Sequence, residues 1–281
     1  MNPHKTRTSL VAFVLVAALL ANPCVAQDKS SIPPAEAGAK AALEKSPRHG
    51  EYVDVQVPGM KVPLKTFVVY PERKDNAPVV IVIHEIFGLT DWVRSVADHL
   101  AADGFIAIAP DLLSGRGPDG GGTESIPGEK VRDLVRGLKP DEVVTRLNAV
   151  RDYGMKLPAS NKKTATIGFC WGGMTSFHYA TAQPGLSAAV VYYGTSPEND
   201  AAYGKVKAPV LGIYGSDDQR VNATIPKARE QMTKQKKSYD ARIYEGAGHG
   251  FLRAQDGREA NAKAAREAWP ATVQFLRENT K

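Results

Sequence analysis

The chain has 281 residues and a formal net charge of +6, but its 36 Lys and Arg are scattered rather than blocked, which excludes a nucleic-acid-binding stripe as its organising feature. A hydrophobic content of 43% and a charged content of 23% suit one large domain with an ordinary core. Two cysteines exclude a disulfide scaffold.

Residues 1–26 read as a secretory signal. Lys5 and Arg7 form a positive start, and residues 10–21 form an apolar stretch too short for the ~20 residues that span a bilayer. Pro23 breaks the stretch, and cleavage is expected after Ala26. No twin Arg is present, so the general export route is expected, giving a periplasmic or secreted chain with no membrane attachment once the signal is removed. A lipid anchor on Cys24 is the weaker reading, because Pro23 stands where a small residue is expected. Residues 27–50, rich in Ala, Lys, Glu, Ser and Pro, read as a flexible arm with a short helix over 35–44.

A single domain is expected over 51–281. Residues 52–57 alternate apolar and polar, residues 62–70 are β-rich, and Pro58-Gly59 between them reads as a hairpin turn. Residues 78–83 are a continuous apolar run, the mark of a strand buried on both faces. A helix over 92–102 stops at Gly104, and a strand follows over 105–109. Residues 115–137 are Gly-rich and too long for an ordinary connection, and read as a mobile lid. Then come a helix over 141–155 and strands over 164–169, 188–193, 210–214 and 241–244. Helices are expected over 225–234 and from 260 onward, with Pro270 starting or kinking the last piece. Strands alternating with helices predict an α/β fold: a mostly parallel central sheet with helices on both faces.

Gly168-Phe169-Cys170-Trp171-Gly172 ends the strand over 164–169, and a helical spacing of Met174, Phe177, His178 and Thr181 follows. Strand, sharp turn and helix, with a nucleophile type between glycines, is the nucleophile elbow of α/β-hydrolases, with Cys in place of Ser. A helix N-terminus also favours a thiolate. The alternative is a small buried Cys at the end of a core strand. Once residues 1–26 are removed, Cys170 is the only cysteine, so no disulfide can form within the chain.

Three further strand ends carry capable residues. Asp218 and His249 follow the strands over 210–214 and 241–244, so nucleophile, acid and His occur in the α/β-hydrolase order. Asp218 is preferred to Asp217, which reads as a turn residue. His84-Glu85 follows the strand over 78–83. A zinc motif would need a second His one helical turn on, where Gly88 stands, so no metal is expected. The backbone N–H groups of Ile86 and Trp171 are placed to form an oxyanion hole.

At these residues the chain resembles the dienelactone hydrolase family, also called carboxymethylenebutenolidases. The matching words are His84-Glu85-Ile86-Phe87-Gly88, Ala109-Pro110-Asp111-Leu112, Gly168-Phe169-Cys170-Trp171-Gly172-Gly173, Tyr192-Tyr193-Gly194 and Ala247-Gly248-His249-Gly250-Phe251. The resemblance implies a Cys170–His249–Asp218 triad and a Glu85 that contacts and activates the Cys when substrate binds. It also implies arginines, at Arg253 and Arg116, that hold a substrate carboxylate. The expected partner is a small, anionic ester or lactone, hydrolysed through an acyl-enzyme without cofactor or metal by a monomer. Two other readings stay open: a broad carboxylesterase or thioesterase, and a non-catalytic binding protein on the same fold.

Overall fold

A computed structural model describes Met1, residues 32–73 and residues 76–281. The expected signal and cleavage point lie outside the described residues. Eight strands form one sheet in the order β1-β2-β4-β3-β5-β6-β7-β8. They are β1 (Gly50–Val55), β2 (Leu64–Val69), β3 (Ala77–Ile83), β4 (Ile106–Pro110), β5 (Ser160–Phe169), β6 (Ala188–Tyr192), β7 (Val210–Gly215) and β8 (Tyr239–Tyr244). The hairpin β1–β2 is antiparallel, pairing Gly50 with Val69 and Val55 with Leu64, and β2 is antiparallel to β4. Every other neighbour is parallel.

Alternation along the central strands sorts side chains onto two cores. Val79, Ile81 and Ile83 of β3 face one side. They share a core with Val143, Leu147 and Val150 of α4 (Pro140–Lys156), Phe177 of α5 (Trp171–Ala182) and Met232 of α8 (Ile225–Lys234). Val80 and Val82 face the other side, with Trp92, Val96 and Leu100 of α2 (Asp91–Ala102) and Trp269, Val273 and Leu276 of α9 (Glu259–Asn279). Burying each such Val, Ile or Leu is worth about 1.5–3 kcal/mol, so β3 fixes the middle of the sheet. The last helix runs through Pro270 as one element. Two one-turn helices, α6 (Asp200–Tyr203) and α7 (Gln219–Asn222), complete the parallel half.

Two segments differ from expectation. The arm read over 27–50 is described from residue 32 onward, and there it is laid against the domain. It carries α1 (Ala39–Glu44), with Ala39 buried. Trp92 Nε1 donates to Pro34 O (3.1 Å) and Gln255 Nε2 to Pro33 O (2.8 Å), while Arg48 pairs with Asp98 (2.6 Å). These partners lie far away in sequence, so no local pattern announces them.

The Gly-rich stretch over 115–137 is largely structured. It holds two 3₁₀ turns and α3 (Gly128–Arg136), whose Val131 and Val135 are buried. Its base is tied by the buried Asp111, whose carboxylate accepts from Leu113 N (3.0 Å), Thr123 N (2.7 Å) and Thr123 Oγ1 (2.7 Å). A carboxylate taking three donors is a strong local staple.

Candidate active site

The elbow is built from close backbone contacts. A Cβ on Gly168 would lie 1.9 Å from Gly172 O, and one on Gly172 would lie 2.3 Å from Ile83 O. Only glycine allows the first turn of α5 to approach the ends of β3 and β5 this closely. Cys170 sits between them at φ 56° and ψ −113°, a conformation that costs a non-glycine residue about 1–3 kcal/mol and holds its sulfur off the sheet. Its N–H donates to Tyr192 O (3.0 Å), which fixes the turn.

The two expected triad partners meet. His249 Nδ1 lies 2.5 Å from Asp218 Oδ2, and Asp218 Oδ1 accepts from Val221 N (3.4 Å) as the N-cap of α7. Burial alone would push His249 down. The hydrogen bonds to Asp218 and Cys170, with the charge of both, outweigh it and raise the imidazole to about 9. Asp217, by contrast, is half exposed and pairs with Arg258 at 2.9 Å. Of the two aspartates, Asp218 is the one that meets His249.

Ile86 and Trp171 line a cavity of about 300 Å³ together with Cys170, Tyr193, Thr195, Arg136 and Arg220. Behind them His84 is fully buried, stacks on Trp171 (5.6 Å between rings) and approaches Glu85 O through Nδ1 (2.7 Å). Burial lowers its titration, so it is a neutral ring that braces the loop after β3.

Glu85 is 3% exposed, and its Oε2 lies 2.9 Å from Arg253 Nε. The Nε–H is not aimed at an acceptor, so this is an ion contact rather than an aligned hydrogen bond. Burial raises Glu85 to about 7 against the opposing charges of Arg253 and His249. Its carboxylate thus faces Arg253. Arg253 also pairs with Glu36 of the N-terminal arm and lies over Phe87 (5.0 Å), whose ring also lies beneath Arg132 of α3 (4.8 Å).

The structure does not bring Arg116 to this cavity. Its guanidinium is taken by Glu142 (2.6 Å), which also holds the buried Arg146 (2.5 Å). Arg146 in turn donates to Leu112 O (2.5 Å) and Ser114 O (3.2 Å), so the cluster braces the base of the Gly-rich insert. The arginines that do line the cavity are Arg136, at the end of α3, and Arg220, in α7.

Tyr193 was legible only as part of a motif word. It is fully buried, takes φ 39°, and sets its ring edge-on to His249 (5.3 Å). Among the described residues its hydroxyl has no hydrogen-bond partner. Burial pushes its titration far up, so it keeps its proton.

The dienelactone hydrolase family model matches residues 64–280. The chain belongs to the dienelactone hydrolase family. It is 32% identical over 249 residues to a carboxymethylenebutenolidase-like protein of Saccharolobus solfataricus, covering 78% of this chain and 95% of that one. It is 29% identical over 219 residues to one from Escherichia coli K12, covering 74% and 80%. A dienelactone hydrolase-like structure from Klebsiella pneumoniae superposes with a TM-score of 0.72 at 24% identity, covering 82% of this chain and 99% of that one, a likeness of fold. The chain is accordingly a dienelactone hydrolase-like hydrolase with a single α/β-hydrolase domain.

Proposed function

We propose that this hydrolase cleaves small esters or lactones, with an anionic substrate favoured, through a Cys170–His249–Asp218 triad and an acyl-enzyme. The observation that carries this reading is the strained Cys170 at an elbow, within interaction range of a His249 whose Nδ1 is held by Asp218. A His249 raised to about 9 keeps its proton at neutral pH and so can hand it to the leaving oxygen.

The sulfur attacks the carbonyl carbon, a C–S bond forms, and the C=O electron pair moves onto oxygen. The N–H groups of Ile86 and Trp171 stabilise that oxygen. As the intermediate collapses the C–O bond breaks, and His249 gives its proton to the leaving oxygen. Neutral His249 then takes a proton from water, which attacks the thioester and releases Cys170. Asp218 keeps the imidazole oriented and stabilises its charged form. Glu85 faces Arg253. A substrate carboxylate that takes Arg253 frees Glu85 to act toward the sulfur, and Arg136 and Arg220 add positive charge to the cavity of Cys170.

Residues 1–26 support export, with the activity then exercised in the periplasm or outside the cell. Rates of the purified mature chain on an anionic lactone and on neutral aryl esters test the substrate reading. Turnover of the lactone at a higher kcat/KM supports it, and equal rates on neutral esters favour the broad carboxylesterase or thioesterase. No turnover, with a Cys170 that resists thiol reagents in the folded chain, favours the binding protein.

A further inference from the structure

A second chamber opens beside the catalytic one. It has a volume of about 320 Å³, within the range of small-molecule sites. Its walls are apolar: Leu138 before α4, Val143, Val144 and Leu147 on α4, Met174 on α5, and Pro197 after β6. Trp171 and Thr195 line both this chamber and the cavity that holds Cys170, so the two cavities adjoin at the residue next to Cys170. Met174 is a large apolar side chain left 37% exposed there. An exposed apolar concavity that adjoins the cavity of Cys170 is poorly explained by core packing.

The polar groups in the chamber select against charge. His178 lines one wall, and burial lowers its titration, so it is neutral and offers no cation to an acid. Glu198 lines another wall and repels anions. The arginines, Arg136 and Arg220, stand in the catalytic cavity instead. Charge and apolar surface are thus divided between two adjoining spaces.

We infer that the apolar chamber beside Trp171 is a subsite for the uncharged alkyl or aryl arm of the ester whose carbonyl lies at Cys170. The inference rests on the hydrolase reading and adds the shape of its substrate: a polar or anionic part beside Cys170 joined to an apolar arm. The occupant is assigned to the substrate because the chamber shares Trp171 and Thr195 with the cavity at Cys170.

Linear carboxylates, as product acids, probe the subsite without needing turnover. Calorimetric titration of the full mature chain with butyrate, hexanoate and octanoate should give affinity that climbs with length. The upper bound is about fourfold per methylene, the equivalent of full apolar transfer at about 0.8 kcal/mol. At least tenfold from butyrate to octanoate, at one site per chain, is the expected result. Val144→Trp fills the chamber and should flatten the series. Met174→Glu, at an exposed position that the fold tolerates, should flatten it too by placing a charge there.

Equal binding of all three acids, or a gradient that survives both variants, overturns the subsite. So does a chain that sediments as a dimer and becomes monomeric with Met174→Glu, which assigns the chamber to a second copy. The kcat/KM values of aryl acetate and aryl octanoate separate the two levels of the claim. Graded acid binding with no ester turned over keeps the subsite and removes the hydrolase reading. Turnover without any length preference in rate or binding removes the subsite alone.

Discussion

Two buried carboxylates act on His249, and the fold treats them differently. Asp218 follows β7, and each of its oxygens has an assigned donor: Val221 N for one and His249 Nδ1 for the other. Glu85 follows β3, is just as deeply buried, and has only an unaligned contact with an arginine that is shared with Glu36. Burial raises Glu85 to about 7, so near neutral pH its charge is only partly present. The difference shows how one site can contain a fixed orienting group and a responsive one. One backbone N–H and the His249 ring fix Asp218, whereas Glu85 depends on the position of one arginine.

The largest effect should come from breaking the fixed pair. Asp218→Asn should lower kcat by about 10³–10⁴, because the amide supports the wrong imidazole tautomer. Asp217→Asn should change kcat by less than about twofold, since Asp217 faces Arg258 on the surface. Steady-state kinetics of both variants on one ester checks this ranking, and its reversal moves the acid by one residue.

Breaking the responsive pair should act on binding. Charge-assisted contacts are worth roughly 1.5–3 kcal/mol, so Arg253→Ala should raise KM for an anionic lactone about ten- to a hundredfold. A neutral ester of similar size should be nearly unaffected. Equal losses on both substrates would make Arg253 structural.

Glu85 can also be read through stability. Its folded value of about 7 lies above the ordinary 4.5, so between these values the folded chain binds more protons than the unfolded one. Stability from this group is therefore fully present below about 4.5 and falls as pH rises to 7. Glu85→Gln should flatten denaturation midpoints across the lower part of that window and stabilise the chain above pH 7 by roughly 3 kcal/mol at most. His249 adds its own decline between 6.5 and about 9, so the comparison is cleanest below 6.5. An unchanged slope in Glu85→Gln would place the titration elsewhere.

The smallest effect concerns the arm. Glu36 is more than half exposed, and exposed ion pairs contribute about 0–1 kcal/mol. Glu36→Gln should free Arg253 for substrate and lower KM for the anionic lactone by up to about fivefold, with no change on a neutral ester. A raised KM would mean that Glu36 positions Arg253 instead of competing for it.

The sequence made the nucleophile side of the site legible because its chemistry is local. The Gly168–Gly172 spacing, the strand ends before Asp218 and His249, and the apolar run of β3 all signal through neighbours in sequence. The substrate side was less legible because its partners are distant. Arg116 is the nearest match to the family's second arginine, displaced by one residue, and Glu142, 26 residues away, claims its guanidinium. Arg136 reaches the cavity because α3 forms within a Gly-rich stretch that read as a loop, and Arg220 reaches it from the short helix α7 after β7. Glu36 meets Arg253 across 217 residues. The unpartnered hydroxyl of Tyr193 is a property of packing that no pattern of residues encodes.

The central claim is that Cys170 becomes acylated. The direct measurement is mass spectrometry of the mature chain quenched in acid during turnover of an aryl ester, followed by peptide mapping. A mass increase equal to the acyl group, confined to the peptide containing Cys170 and absent in Cys170→Ala together with all turnover, is the predicted result. Ester hydrolysis that continues in Cys170→Ala, or an acyl group found on another residue, would contradict it.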